Sequence, residues 1–378
     1  MTRSRVKPEQ PKWLDTSQEE AGERNDELGR CRIMVLGIGG AGNNTVDRLI
    51  EAGMSDVDCI AINTDLQHLN AVRATKKILI GEKVTKGLGA GGDPKVGKAA
   101  IEESIHKIDA LLNNVDVAFI AAGLGGGTGT AAAPVVAELV RKKGAIVIGF
   151  VTAPFRIEKG RARHAVAALN EMRRACDTVV VIDNNKLMEL VPHHPIKEAF
   201  KVADQVLANM IQGIVETMSE PSLVNLDFAD FRTIVRRGGV AVVGVGESDA
   251  PNRAEEAVRN ALKSPLLDVD YTGATGALIH VVGDNHMTIE EANRVGEIVT
   301  EMMGHDALVI WGARAKPSED GFLRVTLMMT GVNSPRIQKG YGTMMPKLYD
   351  IESSFAEPET QLHLDLGLGL DQLENFPE

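Results

Sequence analysis

The sequence predicts an α/β protein: a parallel-sheet domain joined by one long central helix to a smaller α/β domain with a mixed sheet. Three observations predict it. Short apolar runs alternate with helix-period stretches from Cys31 to Ile182, the pattern of a parallel sheet covered on both faces. Glycine-rich loops follow these runs at 37–42, 87–92 and 123–130. They therefore gather beyond the strand C-terminal ends, where open sheets bind ligands. Residues 196–219 keep a wide apolar face between Pro195 and Pro221, as a helix buried between two domains does.

Taken in order, residues 1–30 are polar and of mixed charge, apart from Trp13-Leu14, and read as a disordered or loosely helical extension. The first domain spans 31–195. Strands are expected at Ile33–Leu36, Val57–Ile62, Lys77–Ile80, Val117–Ala122, Ala145–Thr152 and Thr178–Ile182. Helices are expected at Lys95–Leu112, Ala131–Arg141 and Arg163–Arg174, and one is expected after Gly42 carrying Val46, Leu49 and Ile50. The central helix is 196–219. The second domain, 220–331, offers strands at Val240–Val245, Ala277–Val282, Leu308–Trp311 and Phe322–Met329, with helices at Arg253–Leu262 and Thr288–Met303. Four strands of this kind make a small mixed sheet. Residues 332–378 form a tail. In it, Leu362, Leu364, Leu366, Leu368 and Leu370 alternate with smaller or polar residues, a period that suits an added strand on a partner's sheet edge. A disordered tail, or one that folds back on its own domain, is the alternative.

Composition narrows the class. A formal net charge of −11, with no basic patch in the central region, argues against nucleic-acid binding. The three cysteines, Cys31, Cys59 and Cys176, have neither disulfide nor zinc spacing and fit a reducing cytoplasm. No apolar run reaches the ~18 residues of a membrane span. The basic N-terminal residues lack the apolar stretch of a signal peptide. His193-His194 between prolines reads as a surface loop, because no third ligand is evident.

The densest motif is Ala121-Ala122-Gly123-Leu124-Gly125-Gly126-Gly127-Thr128-Gly129-Thr130. Five glycines in seven residues let backbone N–H groups approach an anion, and the threonines add hydroxyls. A merely flexible turn would not need a buried strand before it and a helix after it. The 37–42 loop contains G-x-G-x-x-G, and Asp65 lies 23 residues beyond Gly42. Those two features equally suit a dinucleotide site in an oxidoreductase. Three phosphate-type loops fit a nucleoside triphosphate better, since a pyrophosphate needs one. No G-x-x-x-x-G-K-[ST] occurs. Asn225-Leu226-Asp227-Phe228-Ala229-Asp230 sets two acids three apart, either to polarise water or hold a cation, or with Asp227 as a plain helix cap.

Together these segments carry a resemblance. Gly39-Gly40-Ala41-Gly42-Asn43-Asn44, Asn63-Thr64-Asp65, Gly87-Leu88-Gly89-Ala90-Gly91, Gly125 to Thr130 and Asn225 to Asp230 resemble, in order and spacing, the motifs of the FtsZ family of tubulin-like cell-division GTPases. The resemblance runs from about Cys31 to Gly331. Asp183-Asn184-Asn185-Lys186 and Gly276-Ala277-Leu278-Ile279-His280 look closest to archaeal members. It implies the tubulin/FtsZ fold, GTP and GDP as ligands, and Mg²⁺ held through phosphate oxygens with no protein metal site. It also implies head-to-tail self-assembly in the cytoplasm at midcell, with a membrane-anchoring division partner on the tail and no membrane insertion of the chain itself. A tubulin-like protein that shapes cells without dividing them is a second reading.

By the same resemblance, Gly40, Ala41, Gly42, Asn43 and Asn44 would hold phosphates, with Gly91, Gly123, Gly125, Gly126, Gly127, Thr128, Gly129 and Thr130. Asp65 belongs to the same set. Glu158 would take the ribose, with Arg161 preferred to Arg163 beside it. Asn184 and Asp204 would read the guanine and Phe200 would stack on it. Asp227, Asp230 and Asn225 would serve the catalytic loop that completes a neighbour's site. Two departures stand out: Ala131 replaces a usual glycine, and the chain's acidic end does not match the familiar bacterial tail peptide.

Overall fold

The computed structural model describes residues 31–54, 57–155, 157–186, 196–219, 227–236, 238–263, 271–304, 306–316 and 321–332. The side chains of 196–200, 202–203, 219 and 272 also lie outside the description. The expectations for residues 1–30, His193-His194, Asn225 and the tail fall outside the described residues.

Six strands run parallel: β1 (Ile33–Ile38), β2 (Asp58–Asn63), β3 (Lys76–Leu79), β4 (Val117–Gly123), β5 (Ile146–Ala153) and β6 (Thr178–Asp183). Their spatial order is β3-β2-β1-β4-β5-β6. β1, β5 and β6 are buried along their whole length, which is why they read as unbroken Val/Ile runs. β3 is the outer edge, where Lys76 and Lys77 are exposed and charge discourages further pairing.

The sheet does not stop at β6. It continues through β7 (Val240–Ser248), β10 (Leu323–Thr330), β8 (Gly276–Gly283) and β9 (Leu308–Ala315), giving ten strands. β10 is antiparallel to both neighbours, and β8 and β9 are parallel, so the mixed four-stranded part is present as expected. The join is short: β6 and β7 pair in parallel only at Val179–Val240 and Val180–Ala241.

On one face lie α1 (Gly39–Glu51), α7 (Ile196–Ser219) and α8 (Phe228–Arg236). Val46 and Leu49 of α1, Leu207, Ile211 and Ile214 of α7, and Phe231 of α8 share one core with β6, β7 and β10 residues. The long helix thus covers the seam between the two halves. It comes so close to β10 that a Cβ on Gly213 would lie 2.7 Å from Thr326 Oγ1. On the other face lie α4 (Pro94–Asp109), α5 (Thr128–Lys142), α6 (Lys159–Ala175), α9 (Arg253–Leu262) and α10 (Ile289–Met302). Two short helices, α2 (Leu66–Ala71) and α3 (Glu82–Thr85), follow β2 and β3.

Several boundaries differ from the sequence reading. α5 begins at Thr128, three residues before the small-residue pattern, because its first turn is built from the end of the glycine loop itself. α6 begins at Lys159, ahead of the expected Arg163. Cys59 and Cys176 are buried core residues, and burial raises both thiols far above reactivity at neutral pH.

His280 on β8 is the exception in an apolar layer. Its ring is 1% exposed, and neither nitrogen has a partner among the described residues. Burial lowers its pKa from 6.5 to about 4. The folded state therefore binds a proton less readily than the unfolded chain. Its contribution is complete above pH 6.5 and is lost as pH falls through about 4, a loss of roughly 3 kcal/mol. His280→Leu should flatten this acid limb in urea titrations run from pH 7 to 4. An unchanged slope would assign the acid sensitivity elsewhere.

Candidate functional site

The turn from β1 into α1 rests on close backbone approach. A Cβ on Gly42 would lie 2.1 Å from the Ala121 carbonyl oxygen, and one on Gly37 2.3 Å from that of Gly42. The start of α1 is therefore pressed against β4. Its N-cap, Ile38, supplies no side-chain cap, so the first-turn N–H groups, including those of Gly40 and Ala41, are left for another acceptor.

The turn from β4 into α5 repeats this one strand over. The N-cap Gly127 again supplies no side-chain cap. Thr130 Oγ1 accepts from the Gly125 N–H at 2.9 Å and folds the loop back on its helix. A Cβ on Gly129 would sit 2.6 Å from the Gly123 oxygen. The third glycine loop backs this one, since a Cβ on Gly127 would meet Ala90 Cβ at 2.7 Å. In that third loop Gly87, Gly89, Gly91 and Gly92 all have φ between 59° and 85°, a region open mainly to glycine.

Between the two helix starts lies a cavity of about 290 Å³. Gly40, Ala41, Gly126, Gly127, Thr128 and Gly129 line it together with Thr152, Pro154, Glu158, Arg161 and Asn184. Glu158 Oε1 accepts from Arg161 Nη1 at 2.6 Å, and its Oε2 from the Phe155 N–H at 3.0 Å. Arg161 packs on Gly125, whose added Cβ would lie 2.9 Å from Arg161 Cβ. Arg163 lines a neighbouring open hollow and is absent from this cavity's lining. Thr152 and Pro154 were missed in the sequence; their only mark is their position at the end of an apolar strand.

Beyond the cavity, Asp204 on α7 accepts from Asn44 Nδ2 at 3.2 Å. Burial raises its carboxyl to about 7, partly offset by the Asn44 bond and by Arg48. Asn43 is fully buried, and neither its Oδ1 nor its Nδ2 has a partner among the described residues; nor does Asn184 Oδ1. Buried amides are normally satisfied, so donors and acceptors left open on these elements fit a polar ligand. Asp65 caps α2, accepting from the His68 N–H at 3.0 Å. Phe200 lies on α7, its side chain outside the described residues.

The two remaining acids lie elsewhere. Asp227 Oδ1 accepts from the Ala229 N–H at 3.0 Å, so Asp227 does cap α8, and Asp230 is exposed in its first turn. α8 leads through Gly238-Gly239 to the start of β6, where the Gly239 oxygen accepts from the Val179 N–H and Thr178 Oγ1. Asn184 follows the other end of β6. The acid-bearing helix and the cavity are thus associated with opposite edges of the sheet.

Comparison with known proteins decides the class. The family model described as Tubulin/FtsZ family, GTPase domain matches residues 32–192, and that described as FtsZ family, C-terminal domain matches residues 239–333. Cell division protein FtsZ 2 of Methanocaldococcus jannaschii is 52% identical over 315 residues, 82% of this chain and 83% of that protein. The chain belongs to the tubulin/FtsZ family. FtsZ 2 of Halobacterium salinarum is 45% identical over 350 residues, 90% of this chain and 89% of its own. A solved empty FtsZ dimer from M. jannaschii superposes with a TM-score of 0.77 at 46% identity, covering 86% of this chain and 94% of its own.

Membership makes this an FtsZ-type GTPase with a guanine nucleotide as ligand, and sets aside the dinucleotide oxidoreductase. The glycine loop of 37–42 thus lies within a matched FtsZ-type GTPase domain, so its G-x-G-x-x-G is not evidence of a dinucleotide enzyme. Among the described residues no three His, Cys, Asp or Glu side chains gather as a metal site, and no helix is long and apolar enough to cross a membrane.

Proposed function

We propose that this FtsZ-family GTPase is a cytoplasmic cell-division protein that assembles head to tail into a midcell ring and hydrolyses GTP at the joint between subunits. The supporting observation is the separation of cavity and acids. β6 alone, six residues long, spans about 20 Å at ~3.3 Å per residue, and its two ends face Gly239 and Asn184. One chain's Asp230 does not reach its own nucleotide. A second copy, stacked on the cavity edge, brings its acids over the phosphates. Such a heterologous contact propagates as an open filament. The surface agrees. Of the six exposed large apolar residues among those described, Leu66, Val84, Leu88 and Ile157 lie on segments that follow strand ends at the cavity edge, where a partner would cover them.

In this reading the open N–H groups of α1 and α5 hold the phosphates, Gly91 and the threonines close around them, and Mg²⁺, held by the nucleotide rather than by protein side chains, would offset the phosphate charge. Glu158 and Arg161 take the ribose side. Asn184, Asp204 and Phe200 take the base. Asp227 shapes the start of α8, Asn225 two positions earlier in the sequence serves the same motif, and Asp230 orients water. The tail beyond 331 recruits the membrane-anchoring partner. Turnover per subunit should rise steeply with protein concentration. Equal turnover by a demonstrably monomeric protein would refute the shared site.

Base recognition carries its own pH signature. Guanine N1–H and its amine call for a carboxylate acceptor, yet the buried Asp204 carboxyl titrates at about 7. Below that pH, binding must expel a proton. Apparent Kd should rise about tenfold per unit as pH falls from 7 to 5, and level off above 7. Calorimetry in two buffers of different ionisation enthalpy reads the released proton. A flat profile would remove Asp204 from the base contact.

A further inference from the structure

Asp204 does not stand alone. Asn63 Oδ1 accepts from the N–H groups of Thr64, at 2.9 Å, and Asp65, at 3.3 Å. That fixes which end of the Asn63 amide faces away. Its Nδ2 lies 3.4 Å from His68 Nδ1. An amide nitrogen only donates, so His68 Nδ1 accepts and the ring proton sits on Nε2. Nε2–H then donates to Asn44 Oδ1 at 3.0 Å. This in turn fixes the Asn44 amide, whose Nδ2 donates to Asp204 Oδ2 at 3.2 Å. Four side chains from three separate segments point their hydrogen bonds in one direction, ending on the carboxylate.

The other end of the chain reaches the phosphate loop. Asn63 holds Thr64, and Thr64 Oγ1 lies 2.7 Å from the hydroxyl of Thr128, the first residue of α5. The His68 backbone is itself pinned, its N–H bonded to Asp65 Oδ1.

We infer that His68 is a positioning residue for base recognition, acting through Asn44 to aim the Asp204 carboxylate and through Asn63 to tie that aim to the phosphate loop. This rests on the reading that Asp204 takes the guanine edge. Without the His68 donor the Asn44 amide is free to turn over and present oxygen to oxygen. The carboxylate then loses its orientation, and the contact that suffers is the second donor of guanine, the 2-amino group. His68 touches no substrate atom in this scheme.

The test compares GTP with inosine triphosphate, which lacks that amino group, on the full-length protein below its assembly concentration. His68→Ala should weaken GTP binding about tenfold, one lost oriented bond, while inosine triphosphate binding changes little. The preference for GTP therefore falls by a similar factor. His68→Phe fills the space without hydrogen bonds and should behave like His68→Ala. His68→Gln, whose amide offers one donor and one acceptor at the spacing of the ring nitrogens, should restore the preference. A merely structural role would weaken both nucleotides together, and that result overturns the inference. Asp204→Asn is the control. If it lowers the preference and His68→Phe does not, the relay is wrong and the base reading stands. If Asp204→Asn leaves the preference untouched, both fall.

Discussion

Asp230→Ala should bind GTP as the parent protein does, still assemble, and lose hydrolysis by at least ~100-fold, the usual loss when a water-orienting acid is removed. The reasoning is geometric. Asp230 is exposed, and its helix is followed by Gly239, which is bonded at the start of β6, whereas the cavity is lined by Asn184 beyond that strand's end. Removing the carboxylate leaves the nucleotide pocket of the same chain intact, so filaments should persist and not turn over. The stronger form of the experiment mixes two defective proteins. Gly126→Val puts a side chain into the cavity while leaving the acids in place. Neither variant hydrolyses GTP alone. Mixed, they create joints in which intact acids from one subunit meet an intact pocket from the other, and part of the activity should return. Two variants that stay inactive when mixed, while co-assembling, would show that acid and pocket belong to one chain.

The pattern of what the sequence disclosed follows the range of each interaction. The β4–glycine loop–α5 unit was legible because its strand, loop and helix are contiguous and each has its own composition. Its boundary was not: Thr128-Gly129-Thr130 looks like loop, and only the packing of Gly129 on Gly123 puts it into the first turn of α5. α2, at six residues, is too short to show a period, although Asp65 marks its start as a cap. Asp227 carried two readings, cap and acid, and the structure makes it a cap without removing the acid reading of Asp230. The base end was out of reach of pattern. Asn44 and Asp204 are 160 residues apart, and His68 reaches Asn44 only once α2 has packed beside α1. Their grouping has no local signature, so Asp204 was found through family resemblance and His68 was not found at all. The β6–β7 join, two residue pairs long, is hidden for the same reason.

Two glycines of the site should respond in opposite ways to the same small change. In Gly42→Ala the new Cβ would fall 2.1 Å from the Ala121 oxygen and 3.0 Å from the carbonyl carbons of Ala121 and Gly37. All of these are backbone atoms, and β4 is held in the sheet by β1 on one side and β5 on the other. No side chain can turn aside to make room. Overpacking usually costs about 1–3 kcal/mol where neighbours can yield; here either α1 or β4 must shift, and the cost should reach about 3 kcal/mol or more. Thermal unfolding should move down by at least about 5 °C, with or without nucleotide. In Gly126→Ala the Cβ meets nothing within 4 Å, and Gly126 lines the cavity. Melting of the nucleotide-free protein should stay within about 1 °C of the parent. The methyl instead occupies space beside the open N–H groups of α5, so GTP affinity should fall about tenfold or more, and the stabilisation that GTP confers at a fixed concentration should shrink by the corresponding ~1.4 kcal/mol. Paired melts of the two variants, with and without GTP, separate a glycine required by the fold from one required by the ligand. A Gly126→Ala protein that binds GTP like the parent would place the phosphates elsewhere than between α1 and α5.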